Sequence, residues 1–211
     1  MRISKTVLAL LCLILCGIAI VLALHTVPSA RAASPDAPAY AANGDMLPPS
    51  HYREWIYLTS GIDMSYSPKA MEMGGGMSMF DNVFVNPEAY RSFMATGTWP
   101  DKTIMVLEVR KGQSRGSINK AGVFQTDQVG REVHVKDVAR FKSGWAFFPG
   151  ADTATALSQT SQCNVCHEQH GAVDTTFVQF YPTLLPTALE KKTMSAAYLA
   201  EEAAGPKDEK R

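Results

Sequence analysis

The sequence predicts an α+β protein, a mainly antiparallel β-sheet flanked by helices. Two observations carry this. Strand-like runs come first, one helix interrupts them, further strands follow, and helical patterns fill the end of the chain. That order, without regular strand–helix alternation, favours antiparallel pairing with the helices set to one side. The composition, 46% hydrophobic and 19% charged, is that of a globular protein and excludes wholesale disorder or a collagen-like repeat.

Four segments divide the 211 residues. Residues 1–32 read as a secretory signal peptide: Arg2 and Lys5, an uncharged run from Val7 to Leu24, then Ala30-Arg31-Ala32 with small residues at alternate positions. The run is also long enough to be weighed as an uncleaved membrane anchor. Either way the domain that follows is exported, and the expected location is the periplasm. Residues 33–49, rich in Ala and Pro, read as a flexible leader. Residues 50–185 form the main domain, and 186–211 a terminal helix and tail. Without residues 1–32 the chain loses three basic residues and no acid, leaving 17 basic and 20 acidic, a net charge of −3. No basic excess remains for nucleic acid.

Along the main domain, Glu54–Thr59 has strand-type residues, and Met64–Met79 holds five methionines around Gly74-Gly75-Gly76, a loop pattern. Phe80–Val85 is a second strand. Asn86-Pro87-Glu88 opens a helix, with Asn as the cap, Pro in the first turn and Glu at the positive end of the dipole. The helix runs to about Thr96 and stops at Gly97. Thr103–Arg110, Gly122–Gln125, Arg131–Val138 and Trp145–Phe148 are further strands. In the third of these, Glu132, His134 and Lys136 alternate with Val133, Val135 and Asp137, so one face is largely polar. Helical pattern follows Asp152, extends through Thr175–Tyr181, and returns over Pro186–Ala204.

One motif stands out: Cys163-Asn164-Val165-Cys166-His167. Cys-x-x-Cys-His is the attachment signature of c-type haem. Two cysteines three apart share one face of a helical turn, so their sulfurs can each add across one haem vinyl group. The adjacent His then reaches the iron as its proximal ligand. A thioredoxin-type redox pair wants a parallel βαβ context. A zinc site wants four ligands, and beyond the signal no other Cys remains, with only His51, His134 and His170 as further imidazoles. A disulfide across so short a loop constrains little. One covalently attached haem c, held by Cys163, Cys166 and His167, is therefore the expected cofactor.

The ligand opposite His167 decides the function: a second Met or His makes an electron carrier, while an open position admits a small molecule. The Met64–Met79 cluster offers thioethers, although methionines beside glycines are more often adaptable fillers. His170 lies too near His167 to reach across the ring. Arg91 and Arg131 are weighed as propionate partners against plain surface roles, and Trp145, Phe147 and Phe148 as sheet core.

The chain resembles the cytochrome P460 family, which includes cytochrome c′-beta. Tyr52-Arg53-Glu54-Trp55, Val83 to Tyr90, Gly144-Trp145-Ala146-Phe147, the haem motif, and Phe177 to Pro182 carry the resemblance, from about Leu47 to Pro186. It implies a compact antiparallel sheet with helices, a homodimer, and a five-coordinate haem with His167 proximal. Members that oxidise hydroxylamine carry a haem-linked lysine, and active members a distal carboxylate. Here the helix segment Tyr90–Gly97 has no lysine, and Ala154–Gln162 has no acid. The resemblance therefore implies a cytochrome c′-beta-like pocket, capped by apolar residues, with Phe80, Phe84 and Phe93 as distal candidates. The expected function is binding of nitric oxide, or action on small nitrogen oxides, with a redox partner protein. The alternatives are a six-coordinate electron-transfer cytochrome, and an oxidoreductase acting on hydroxylamine through a haem–protein crosslink from Lys69 or Lys102.

Overall fold

The computed structural model describes residues 36–65, 78–150 and 154–205. The expected signal peptide, Lys69, most of the methionine cluster and Asp152 lie outside these residues. The chain divides into Met1–Ala33 and a compact unit, Ser34–Arg211, which holds every described element. No helix among the described residues is long and apolar enough to cross a membrane.

The elements are β1 (Ala39–Tyr40), β2 (Met46–Leu47), β3 (Ile56–Ile62), β4 (Met79–Val85), α1 (Pro87–Thr96), β5 (Ile104–Gln113), β6 (Phe124–Lys136), β7 (Trp145–Pro149), α2 (Gln162–His170), α3 (Leu185–Lys191) and α4 (Ala196–Ala204). β3 to β7 form one five-stranded sheet whose spatial order equals chain order, and every pairing is antiparallel. The α+β architecture read from the sequence is the one observed.

The departures have local causes. Gly122–Gln125 and Arg131–Val138 were expected as separate strands; they lie in or beside one 13-residue strand, β6. Register shifts around Arg110 absorb the turn-like Thr126-Asp127-Gln128 without ending the ladder. The terminal helix is two helices. Lys192 adopts left-handed backbone, φ 58°, and ends α3, while Ser195 caps α4 by accepting from Tyr198 N. Helix does not extend over Thr175–Tyr181, where there is only a 3-10 turn at Val178–Phe180. The stretch read as a flexible leader forms the β1–β2 hairpin and buries Met46 completely.

α1 has the expected bounds, ending at Gly97 with φ 76°, a conformation that suits glycine. Asn86 stands at its cap, but its side chain makes no capping bond. Instead Oδ1 accepts from Ile104 N at 2.8 Å, and Nδ2 donates to Lys102 O at 3.2 Å, tying the helix entry to β5.

Alternation along the strands splits the apolar residues between two faces. Ile104, Val106, Val133, Val135, Ala146 and Phe148 pack with Met46, Tyr52 and Trp55. On the other face, Met105 and Trp145 join Leu58, Val85, Phe93, Trp99, Tyr181, Leu184 and Ala188, which includes residues of α1 and α3. His134 and Phe147 are cross-strand partners on this second face.

Candidate functional site

The motif forms α2. Ser161 caps it, its hydroxyl accepting from Asn164 N at 3.4 Å. The variable position Asn164 is buried and reinforces the cap, with Nδ2 donating to Ser158 O at 2.9 Å and to Ser161 Oγ at 3.1 Å. Cys163 and Cys166 are free thiols, each partly buried. Burial raises both pKa values, helped at Cys163 by the charge of Glu132 and at Cys166 by Cys163 and Glu201.

His167 sits in an aromatic cage. Its ring centroid is 4.1 Å from Phe177, 4.5 Å from Phe147 and 5.1 Å from His134, the last two edge-on. Its Nδ1 lies 2.6 Å from the carbonyl oxygen of Thr175. A carbonyl can only accept, so Nδ1 carries the proton and Nε2 keeps its lone pair free. Burial pushes this imidazole down to about 4, against the opposing pull of the Thr175 carbonyl. At neutral pH the ring is therefore uncharged.

The loop behind this hydrogen bond is pinned from four sides. Ser195 N donates to Ala172 O and Ser195 Oγ to Gly171 O, both at 2.7 Å. Gln179 Oε1 accepts from Ala172 N at 3.1 Å. Trp99 Nε1 donates to Thr176 Oγ1 at 2.8 Å, and Lys136 Nζ reaches Asp174 at 3.0 Å. Gly171 allows the close return: a Cβ there would stand 2.6 Å from His167 O and 2.9 Å from Thr175 C.

His167 borders a cavity of about 320 Å³. Its sheet wall is built by Thr59 and Gly61 of β3, Asp81 and Val83 of β4, Met105, Leu107 and Val109 of β5, and Glu132 and His134 of β6; Phe147, Phe177, Phe180 and Tyr181 complete it with Met64. A second cavity of about 560 Å³ shares Met64, Phe177 and Phe180 with the first and is lined by Cys166. The polar strand face seen in the sequence is thus a wall of the cavity.

Two carboxylates enter this wall that sequence reasoning did not place there. Burial raises the Asp81 carboxyl, and the charges of Glu132 and then Asp63 add to the effect. Among the described residues no cation is paired with Asp81. The signal was available: Asp81 interrupts a strand that is otherwise apolar on this face.

None of Phe80, Phe84 and Phe93 lines the cavity, which corrects the expected apolar cap. Phe93 is fully buried 4.3 Å from Trp99. Phe84 packs between Tyr52 and Tyr57, at 5.6 and 5.8 Å, on the opposite sheet face, and Phe80 shares that face with it. The residues of β4 and β5 that face the cavity include the aliphatic Val83, Leu107 and Val109, with Asp81. Trp145 and Phe147, read as plain sheet core, flank His134. Arg91 pairs with Glu88 at 3.1 Å on the surface, Arg131 donates to Gly150 O, and neither lines the cavity. Lys102 is bonded to Asp137 and also stays outside. His51 pairs with Asp36 and His170 with Glu201.

A sheet-backed cavity with an imidazole aimed into it, beside two unpaired thiols on one helix, defines a cytochrome-type site. A sequence model of the family Cytochrome P460 matches residues 49–178, most of the described unit, and the chain belongs to this family. Among curated proteins no match is found. The residues present fit the haem that the family implies. Among the described residues Nε2 of His167 has no hydrogen-bond partner, the thiols are unbridged, and the walls are mostly apolar.

Proposed function

We propose that the chain is an exported mono-haem c-type cytochrome, its haem fixed through Cys163 and Cys166 and five-coordinate on His167, and that it binds nitric oxide or acts on small nitrogen oxides. The observation that carries this reading is the hydrogen bond from His167 Nδ1 to the Thr175 carbonyl, which orients the ring and leaves Nε2 as the ligand. When bound, the haem supplies an iron that takes a small ligand and exchanges one electron.

The chain's own residues do the rest. Phe147 and Phe177 exclude water from the imidazole. Val83, Leu107 and Val109 give an apolar wall suited to a diatomic ligand. Asp81 and Glu132 add polar groups that accept from a protic nitrogen ligand, and Asp81 donates when protonated. The wall has no lysine among the described residues, which weighs against a crosslinked haem; Lys102 is committed to Asp137.

Met64 supports a second reading. It lines both cavities, so a six-coordinate electron carrier with a Met64 thioether is the alternative. Absorption spectra of the purified full-length protein separate the two. A high-spin ferrous spectrum that shifts on adding carbon monoxide is expected. Sharp low-spin bands indifferent to that gas, lost in Met64→Leu, would replace this reading with the carrier. Mass analysis tests attachment: the wild-type chain gains one haem and Cys163→Ala weakens or abolishes the adduct. The redox partner and the homodimer are further parts of this proposal.

A further inference from the structure

His134 is a buried titratable group in the site that the reading above does not use. It lies near the C-terminal end of β6, 6% exposed. Its ring stacks on Phe147 at 3.8 Å with an 11° interplanar angle, lies 4.4 Å from Trp145, and meets His167 edge-on. Burial, and the neighbouring His167, hold its pKa well below the ordinary value, so the ring is neutral. A phenylalanine would fill the same slot between two aromatic rings without burying two polar nitrogens. One of those nitrogens, Nε2, faces Thr175 Oγ1 at 3.4 Å. Among the described residues this is the only hydrogen-bond partner of the Thr175 hydroxyl. The carbonyl of the same threonine holds His167 Nδ1 at 2.6 Å.

We propose that His134 is a positioning residue for the iron-binding imidazole, acting through Thr175: the sheet-borne ring fixes the threonine side chain, and the threonine carbonyl fixes His167. This inference rests on the haem reading and deepens it. The other ties on the 171–176 loop come from Ser195, Gln179, Trp99 and Lys136 and reach residues on either side of Thr175. Among the described residues, His134 alone restrains Thr175 through the threonine side chain. A tight Nδ1–H···O bond gives the imidazole more anionic character, which strengthens the iron–nitrogen bond and favours ferric iron.

The test uses the haem-loaded full-length protein and the variants His134→Phe, His134→Gln, Thr175→Val and the double variant His134→Phe/Thr175→Val. The readouts are the midpoint potential and the ferrous iron–imidazole stretching frequency by resonance Raman. His134→Phe and Thr175→Val each raise the potential and lower the stretch. The double variant shifts no further than the larger single change, because both cut the same link. His134→Gln, which keeps a hydrogen-bonding group, recovers part of the wild-type value. A wild-type potential and stretch in haem-loaded His134→Phe or Thr175→Val would overturn the proposal, as would additive shifts in the double variant. Where His134→Phe fails to fold, Thr175→Val, which keeps the packing volume, decides alone. A wild-type chain that takes up no haem is a different failure, that of the haem reading, and is seen in the spectrum before any variant is compared.

Discussion

Glu108 and Asp81 lie on adjacent strands of one sheet, pointing to opposite faces, and the two faces treat a carboxylate in opposite ways. Glu108 is 3% exposed and accepts from Tyr52 Oη at 2.6 Å, Arg53 Nε at 2.8 Å and Arg110 at 3.1 Å. Burial alone would raise its pKa; these hydrogen bonds overcome that and hold it below the ordinary value. Asp81 looks into the cavity with Glu132 beside it and is raised instead. A sheet face that satisfies its acid is closed structure. The other face leaves its acid without a cation among the described residues, beside an open volume, as the proposed ligand site requires.

Core truncations should show the largest contrast. Phe148→Ala, on the closed face, is expected to cost about 3–5 kcal/mol. Leu107→Ala should fall near the low end for leucine, about 2 kcal/mol, because this side chain is only partly buried and already borders the cavity. Denaturant unfolding measures both, and equal losses would mean that the cavity face is packed as tightly as its opposite.

Glu108→Gln comes next, at about 1.5–3 kcal/mol, since the partners lose a charged acceptor. Its pH dependence has a definite sign. A carboxyl whose folded pKa is lowered stabilises the fold fully above its unfolded value and loses that contribution as pH falls through the lowered one. The gap between wild type and Glu108→Gln should therefore close in acid. A gap that persists at pH 2 would show the loss to be packing.

Ser161→Ala removes the cap of the motif helix and is expected to cost about 1 kcal/mol. Amide exchange should quicken in the first turn of α2 and leave β6 untouched. The smallest effect has the opposite sign. Asp81 has a raised pKa, so its ionised form opposes folding above that value and its contribution is best below it. Asp81→Asn should be neutral to slightly stabilising at pH 8, within about 0.5 kcal/mol, with no difference at pH 3. Clear destabilisation at pH 8 would mean that Asp81 has a partner on the cavity side.

The comparison also explains what the sequence disclosed. Strand positions, the helix opened by Asn86-Pro87-Glu88 and the motif helix were readable because each is set by local chemistry. The alternation at Glu132, His134 and Lys136 was visible too. Its meaning was not, because a polar face reads as solvent until another element is known to cover it. Phe80, Phe84 and Phe93 failed as cavity residues for the same reason: aromatic character says buried, but not on which side of the sheet. Thr175 carried no signal at all. The group that meets His167 is a backbone carbonyl, which every residue has, and only the folded loop brings it there and sets the threonine hydroxyl against His134.

Strand order equal to chain order has a consequence for biogenesis. Each strand of the sheet after β3 pairs with the one made just before it, so the sheet can assemble from short-range hairpins while the chain is still being made. The thiols, the imidazole and the Ser195 clamp all emerge afterwards. The cavity wall can therefore stand before α2 arrives, and under the proposed haem reading an attachment apparatus would meet Cys163 and Cys166 on a late, still undocked segment rather than inside a finished protein.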